Sequence, residues 1–312
     1  MQLPSEHEAF LKQYPLLSTI GNTPLVKVDV LEQELPGVEI YAKLEYFNPG
    51  GSLKDRPVRR IVLDALSRGE LHPGKTILDS SSGNAGIAYA MLGAVLGYPV
   101  ALVVPENASL ERLKRIRAHR ASLIATSALK GYDEALREVH RLAKAEPERY
   151  YFADQYSNPS NWQAHYDGTA VEILEQTHGD LTHFVGGIGT GGAITGIGRR
   201  LKEYNPNIQI VAIIPEEFPG VEGLKPIGSP DAIIPEILDE SVIDHRIDVK
   251  IEDAYDMCWR LASAGFFTGQ SSGAYMQGVY TVARAVGTGR IVTLFNDLGE
   301  RYASTHLWDY RE

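Results

Sequence analysis

The stretch Val185-Gly-Gly-Ile-Gly-Thr-Gly-Gly-Ala193 decides the fold. An apolar run, Thr182–Val185, leads into it, and a helical pattern, Ala193–Glu203, leaves it. A strand therefore passes into a helix through a glycine loop. Four glycines and a threonine over residues 187–192 let backbone amides wrap a phosphate at a helix N-terminus. A loop this rich in glycine is costly in entropy unless close backbone approach is needed. The same loop also spells Gly187-x-Gly189-x-x-Gly192, with Glu216 and Glu217 after the next strand, so dinucleotide binding stays open at this point.

Outward from this junction the alternation repeats. Strand candidates are Glu39–Leu44, Thr76–Asp79, Val100–Val104, Ser122–Ala125, Thr182–Val185, Gln209–Ile214 and Arg290–Phe295. Helical patterns lie between them, at Arg56–Arg68, Ala85–Leu96, Leu110–Arg120, Asp133–Ala145, Asn161–Gln176, Ala193–Glu203, Asp253–Ala264 and Gly273–Ala285. This order predicts an α/β fold with mostly parallel, twisted sheets flanked by helices. A length of 312 residues and seven or more strands favour two domains, at about 100–200 residues each. The turn-rich segment Gln155–Ser160 divides the chain into 1–156 and 157–312, with residues 15–45 packing on the C-terminal half.

The net charge of −10 argues against nucleic acid and gives no reason to expect binding to anionic membrane. A single cysteine, Cys258, excludes an internal disulfide framework. No apolar run approaches the ~18 residues of a membrane helix, and the N-terminus lacks the apolar core of a signal peptide. These features predict a soluble cytoplasmic protein.

Three further loops carry polar chemistry. In Asn48-Pro-Gly-Gly-Ser-Leu-Lys-Asp-Arg-Pro57, Lys54 precedes a helix for which Asp55 is the expected N-cap. A lysine there is usually a solvated side chain. The positive helix end disfavours its ammonium, however, and so favours the amine that a Schiff base needs. Asp79-Ser-Ser-Ser-Gly-Asn-Ala-Gly86 reads either as an anion site at a helix start or as a well-capped turn. Gly269-Gln-Ser-Ser-Gly-Ala274 alone could be a simple N-cap. Dinucleotide binding leaves the lysine and serine loops without a role.

With these segments in this order, the chain resembles the cysteine synthase family, the O-acetylserine or O-phosphoserine sulfhydrylases. These are fold-type-II pyridoxal-phosphate (PLP) enzymes related to the tryptophan synthase β chain. The likeness begins at Ile20-Gly-Asn-Thr-Pro-Leu25, runs through Gln155-Tyr-Ser-Asn-Pro159 and His165-Tyr-Asp-Gly-Thr169, and ends at Asp297-Leu-Gly-Glu-Arg-Tyr302. The resemblance implies that Lys54 carries PLP and that Asn84 bonds its 3′ oxygen. It implies that Gly189, Thr190, Gly191, Gly192 and Ala193 hold the phosphate and that Ser271 faces the pyridine nitrogen. Ser81, Ser82, Gly83, Asn84 and Gln155 would bind the substrate carboxylate. Lys54, once freed, would act as general base while a sulfur nucleophile replaces the β-substituent of an activated serine. No metal is implied.

The resemblance further implies a homodimer. Serine acetyltransferase or a small sulfur-carrier protein partners some relatives. Synthesis of another β-substituted alanine or of cystathionine is the sibling reading. A catalytically idle PLP-fold protein that binds a partner is the reading from another class. Gly51 stands where the family usually has Thr or Ser, Ala85 where it has Thr, Ala170 where it has Gly, and Asp79-Ser80 where Glu-Pro or Glu-Ala is commoner. Lys225 falls near where phosphoserine-using relatives place an arginine, and reads otherwise as an exposed loop lysine.

Two features read as structural. Cys258 shares an apolar helical stripe with Ala254, Met257 and Leu261. Arg112, Lys114, Arg115, Arg117 and Arg120 form a basic run, a solvated face opposite Leu110, Leu113 and Ile116. The nine histidines show no paired ligand spacing. The tail, Trp308–Glu312, is placed by none of these patterns.

Overall fold

The computed structural model describes residues 4–127, 131–227 and 234–311, leaving aside the side chains of 131–133. Its strands are β1 (Leu25–Lys27), β2 (Val38–Leu44), β3 (Thr76–Ser80), β4 (Val100–Pro105), β5 (Ser122–Thr126), β6 (Tyr150–Phe152), β7 (His183–Gly187), β8 (Gln209–Pro215), β9 (His245–Val249) and β10 (Gly289–Phe295). They form a six-stranded sheet in the order β1-β2-β10-β7-β8-β9 and a four-stranded sheet in the order β5-β4-β3-β6. Every neighbouring pair is parallel except β1 with β2. Apolar runs such as Gln209–Pro215 are buried along nearly their whole length, as a sheet covered on both faces requires. Although N-terminal, β1 and β2 complete the sheet built from C-terminal strands.

The helices are α1 (Glu8–Gln13), α2 (Pro15–Ser18), α3 (Asp55–Ser67), α4 (Asn84–Leu96), α5 (Leu110–Ala118), α6 (Gly131–Ala145), α7 (Ser160–Ala164), α8 (Ala170–Thr177), α9 (Gly192–Tyr204), α10 (Ile251–Ser263) and α11 (Gln270–Val286). The single helix predicted over 161–176 is instead broken. A π-helical turn, His165–Thr169, joins α7 to α8, with His165 Nδ1 and Thr169 Oγ1 2.9 Å apart. Such turns are rare and cluster at functional sites. Sequence periodicity missed β1, β6 and β9. The first two are three residues long, and β9 is a largely exposed edge strand whose sequence, HRIDV, is mostly polar. Cys258 is fully buried, and burial pushes its thiol up to about 12, which agrees with a packing role.

A buried charge cluster ties helix α3, which follows Lys54, to the larger sheet. The guanidinium of Arg56 donates to both oxygens of Glu45 at 2.6 and 2.8 Å, and to both oxygens of Glu172 at 2.7 and 2.8 Å. Lys43 meets Glu172 from the other side at 2.8 Å. Two cations and two carboxylates balance one another, and loss of any one leaves an uncompensated buried charge. The N-terminal segment is pinned separately, through His7 Nε2 and Asp64 Oδ1 at 2.8 Å. Glu6 lies close to the same pair. Asp64 is also bonded by Ser160 and Arg60, so its oxygens are committed.

Candidate active site

The C-terminal ends of both sheets open on one cleft of about 470 Å³. Lys54, Ser81 to Ala85, Gln155, Gly189, Thr190 and Lys225 all line it. A narrower chamber shares Lys54, Asn84, Gly189 and Thr190 with the cleft and reaches Gly191, Ala193 and Ser271. The structure thus brings together nearly every site residue named above.

Lys54 lies just ahead of α3 and is itself the N-cap, in helical conformation, with no side-chain capping bond. Asp55, expected at that position, is the first helical residue. Its carboxylate turns back to accept from the Gly50 N–H at 2.5 Å, because the preceding turn needs an acceptor more than the helix needs a cap. Burial pushes the Asp55 carboxyl up to about 7. The lysine turn is stapled to the end of β10: Leu53 N donates to Asn296 O at 3.0 Å, and Ser52 bridges Asp297. Burial pushes the Lys54 amine down to about 8, and the Asp297 carboxylate pulls it the other way.

The serine loop splits between its two readings. Ser81 caps its own helix, its Oγ accepting from Gly83 N at 3.3 Å and Gly86 N at 3.1 Å. Ser82, Gly83 and Asn84 are only half-buried and face the cleft at the N-terminus of α4. Asn84 reaches across the cleft: its Nδ2 donates to Asp297 Oδ2 at 2.7 Å, and its Oδ1 accepts from Arg301.

The glycine loop is closed by Asn161, whose Nδ2 donates to Gln155 O at 2.7 Å and to Thr190 Oγ1 at 3.0 Å. Gly191 has φ +81°, and a Cβ on Gly192 would stand 2.1 Å from Asn161 Oδ1. Ser271, near the start of α11, accepts from Asn296 Nδ2 at 2.9 Å. Lys225 holds its ammonium 4.7 Å from the centre of the Tyr156 ring on the cleft wall. Glu216, the candidate ribose acceptor, instead accepts from Ile251 N at 2.9 Å and caps α10.

The basic run is not wholly solvated. Arg112 lines the cleft, pairs with Glu222 across it, and lies 5.0 Å from the Tyr302 ring centre. Leu110, assigned to the buried stripe, is 57% exposed, so only Leu113 and Ile116 anchor α5. The C-terminal tail packs on α10, with Trp308 stacked on Phe267 at 4.3 Å and Arg311 paired with Asp256 at 2.7 Å. Sequence reasoning gave no role to Arg112, Asn161, Asn296, Asp297 or Arg301. For Asn296 and Asp297 a signal existed, since they directly follow β10 at the end where parallel strands present ligand groups.

The family model described as "Pyridoxal-phosphate dependent enzyme" matches residues 16–297. The cysteine synthase of Aquifex aeolicus is 50% identical over 305 residues, covering 95% of this chain and 93% of the relative. The solved structure of cysteine synthase from Entamoeba histolytica superposes with a TM-score of 0.89 at 37% identity, over 95% of this chain and 91% of that one. O-ureido-L-serine synthase superposes with a TM-score of 0.88 at 36% identity, over 95% of each chain. Family match, sequence identity and backbone agree across nearly the whole length, so the chain belongs to the pyridoxal-phosphate dependent enzymes and, within them, to the cysteine synthase family.

Proposed function

We propose that this enzyme makes L-cysteine by β-replacement on O-acetyl-L-serine or O-phospho-L-serine, a sulfur nucleophile taking the place of the ester. One observation carries this reading. An amine, a glycine loop and a second helix N-terminus converge on a single cleft.

PLP is an aldehyde on a phosphate-bearing pyridine, and the donor set suits it. Lys54 would hold the aldehyde carbon. The N–H groups of Gly189 to Ala193 at the start of α9 would hold the phosphate. Thr190 Oγ1 already accepts from Asn161, which leaves its own proton to donate. Ser271 Oγ likewise accepts from Asn296 and would have its proton left for the ring nitrogen of PLP. When bound, PLP withdraws electrons from the amino acid joined to it, which acidifies the α-proton and loosens the β-substituent.

The protein does the rest. Ser82, Gly83 and Asn84 at the positive end of α4 bind the α-carboxylate, and Gln155 borders the same pocket. Lys54, near neutrality at about 8, removes the α-proton and later returns it. Lys225 lines the same cleft and would suit a phosphate leaving group as a point charge. The Arg112–Glu222 pair spans the mouth and helps exclude water. On the family resemblance we also infer a cytoplasmic homodimer, with serine acetyltransferase or a sulfur-carrier protein as protein partners to be tested.

A second reading has its own support. A cavity of about 440 Å³ adjoins the cleft at Tyr156 and Lys225, with Leu136, Phe152 and Pro235 in its walls. It offers room for a nucleophile larger than sulfide.

The test is to load the protein with PLP, follow its visible absorbance with each ester, then add sulfide or a bulky thiol and measure product. A spectral change with one ester, reversed by sulfide with release of cysteine, supports the first reading and names the donor. Faster turnover with the bulky thiol supports the second. Lys54→Ala should lose turnover by at least ~1000-fold, as removal of a general base and covalent anchor does. A band that ignores both esters sinks the proposal.

A further inference from the structure

Two hydroxyls that face the PLP chamber are each oriented by a second residue. Asn161 sets the Thr190 hydroxyl and Asn296 sets that of Ser271. Asn84 poses a harder problem, because an amide presents a donor at one end and an acceptor at the other, and a flip exchanges them. The 3′ oxygen of PLP bears negative charge and needs a donor.

Two residues from the segment after β10 resolve this. Arg301 can only donate, and it faces Asn84 Oδ1. Asp297, as a carboxylate, can only accept, and it faces Asn84 Nδ2 at 2.7 Å. With Oδ1 held by a guanidinium, the second proton on Nδ2 is the group left for the chamber. We infer that Asp297 and Arg301 are positioning residues that lock the Asn84 amide so that a donor meets the ring oxygen of bound PLP.

The lock is itself braced. Asp297 Oδ2 also accepts from Tyr302 OH at 2.9 Å, and the Asp297 backbone bridges Ser52 in the lysine turn. Arg301 donates a second time to Gly50 O. It can do so because residue 51 is glycine. A Cβ there would stand 2.7 Å from Arg301 Nη2. Arg301 and Asp297 are 8% and 1% exposed, so water does not compete for their hydrogen bonds to the amide.

The inference rests on the reading of Asn84 as a cofactor partner, and one double-mutant cycle tests the two separately. PLP is titrated into cofactor-free protein, with apparent Kd, visible band position and thermal midpoint as readouts. D297N and R301M should each weaken PLP by about tenfold, the scale of one hydrogen bond to a charged group. Both should shift the band, and R301K should recover part of the loss. Placed on N84A, neither variant should cost anything further. Should D297N fail to fold, the R301M and R301K pair carries the same comparison. Equal losses with and without Asn84 would mean that these residues act elsewhere, through Lys54 or packing, and would overturn the inference. If N84A alone changes neither Kd nor band, the reading of Asn84 falls first and takes the lock with it.

Discussion

Two junctions of the same design face each other across the cleft. Where β7 enters α9 and where β3 enters α4, a strand passes through a short loop into a helix that begins at the cleft. The first is shaped from within: glycines bring the backbone close, and Asn161, on a helix packed against α9, fixes its one hydroxyl. The second spends its first hydroxyl on capping its own helix and leaves Asn84 to be aligned by Arg301 and Asp297 from the far end of the chain. Anion chemistry is thus local at both junctions, while precision is local at one and imported at the other.

The largest way to break this contrast is Gly192→Val. The new Cβ would collide with Asn161 Oδ1, which must move and release Thr190. Overpacking of this kind costs about 3 kcal/mol, or ~100-fold in the Kd for PLP. The same clash strains the cofactor-free fold, so its thermal midpoint should fall by several degrees as well. A PLP titration and a melting curve together check this.

This contrast also explains what the sequence disclosed. The βα alternation and the glycine, serine and lysine loops are contiguous patterns, so they were legible, as was the burial of Cys258. The alignment of the site was not. Asn161 reads as part of a helix, and nothing in its neighbourhood says that it will meet Thr190. Arg112 looks like one more charge on a basic face, yet helix rotation turns it inward to Glu222, while Leu110 faces solvent. The cap was misplaced for a similar reason. Asp55 has the chemistry of an N-cap, but the Gly50 amide is a stronger claim on its carboxylate. Residue types reveal donors and acceptors; only the fold reveals which of them compete.

Gly51→Ser sharpens the contrast at intermediate scale. Gly51 has φ +76°, which a serine adopts with strain, and its Cβ would press on Arg301. The cost is about 1–3 kcal/mol of local strain. Displaced from the cleft, Arg301 no longer orients Asn84. The Kd for PLP should rise by roughly tenfold, as in R301M, in keeping with ~1.4 kcal/mol per tenfold. A PLP titration of Gly51→Ser beside R301M checks this. An unchanged Kd would show that the serine loop does not depend on Arg301.

The smallest effect lies beneath the serine loop. Asp79 lies next to last in β3 with its carboxyl buried beside Tyr89, and its Oδ1 accepts from Ser80 N at 2.7 Å. Burial pushes its carboxyl up to about 7 from the ordinary 3.8. Between those values the folded protein holds a proton that the unfolded chain has released. Linkage then makes this group's contribution to stability fall as pH rises toward 7 and flatten above it. Asp79→Asn keeps the Ser80 bond through Oδ1 and removes the ionisation. The variant should match wild type near pH 4.5 and gain on it as pH rises, reaching about 2–4 °C in Tm at pH 8, the scale of 1 kcal/mol in a chain of this size. Because β7 ends in glycines, no such pH term arises under the phosphate loop. A difference in Tm that stays constant across pH would mean that Asp79 is ionised in the fold and is held there by a partner other than Ser80.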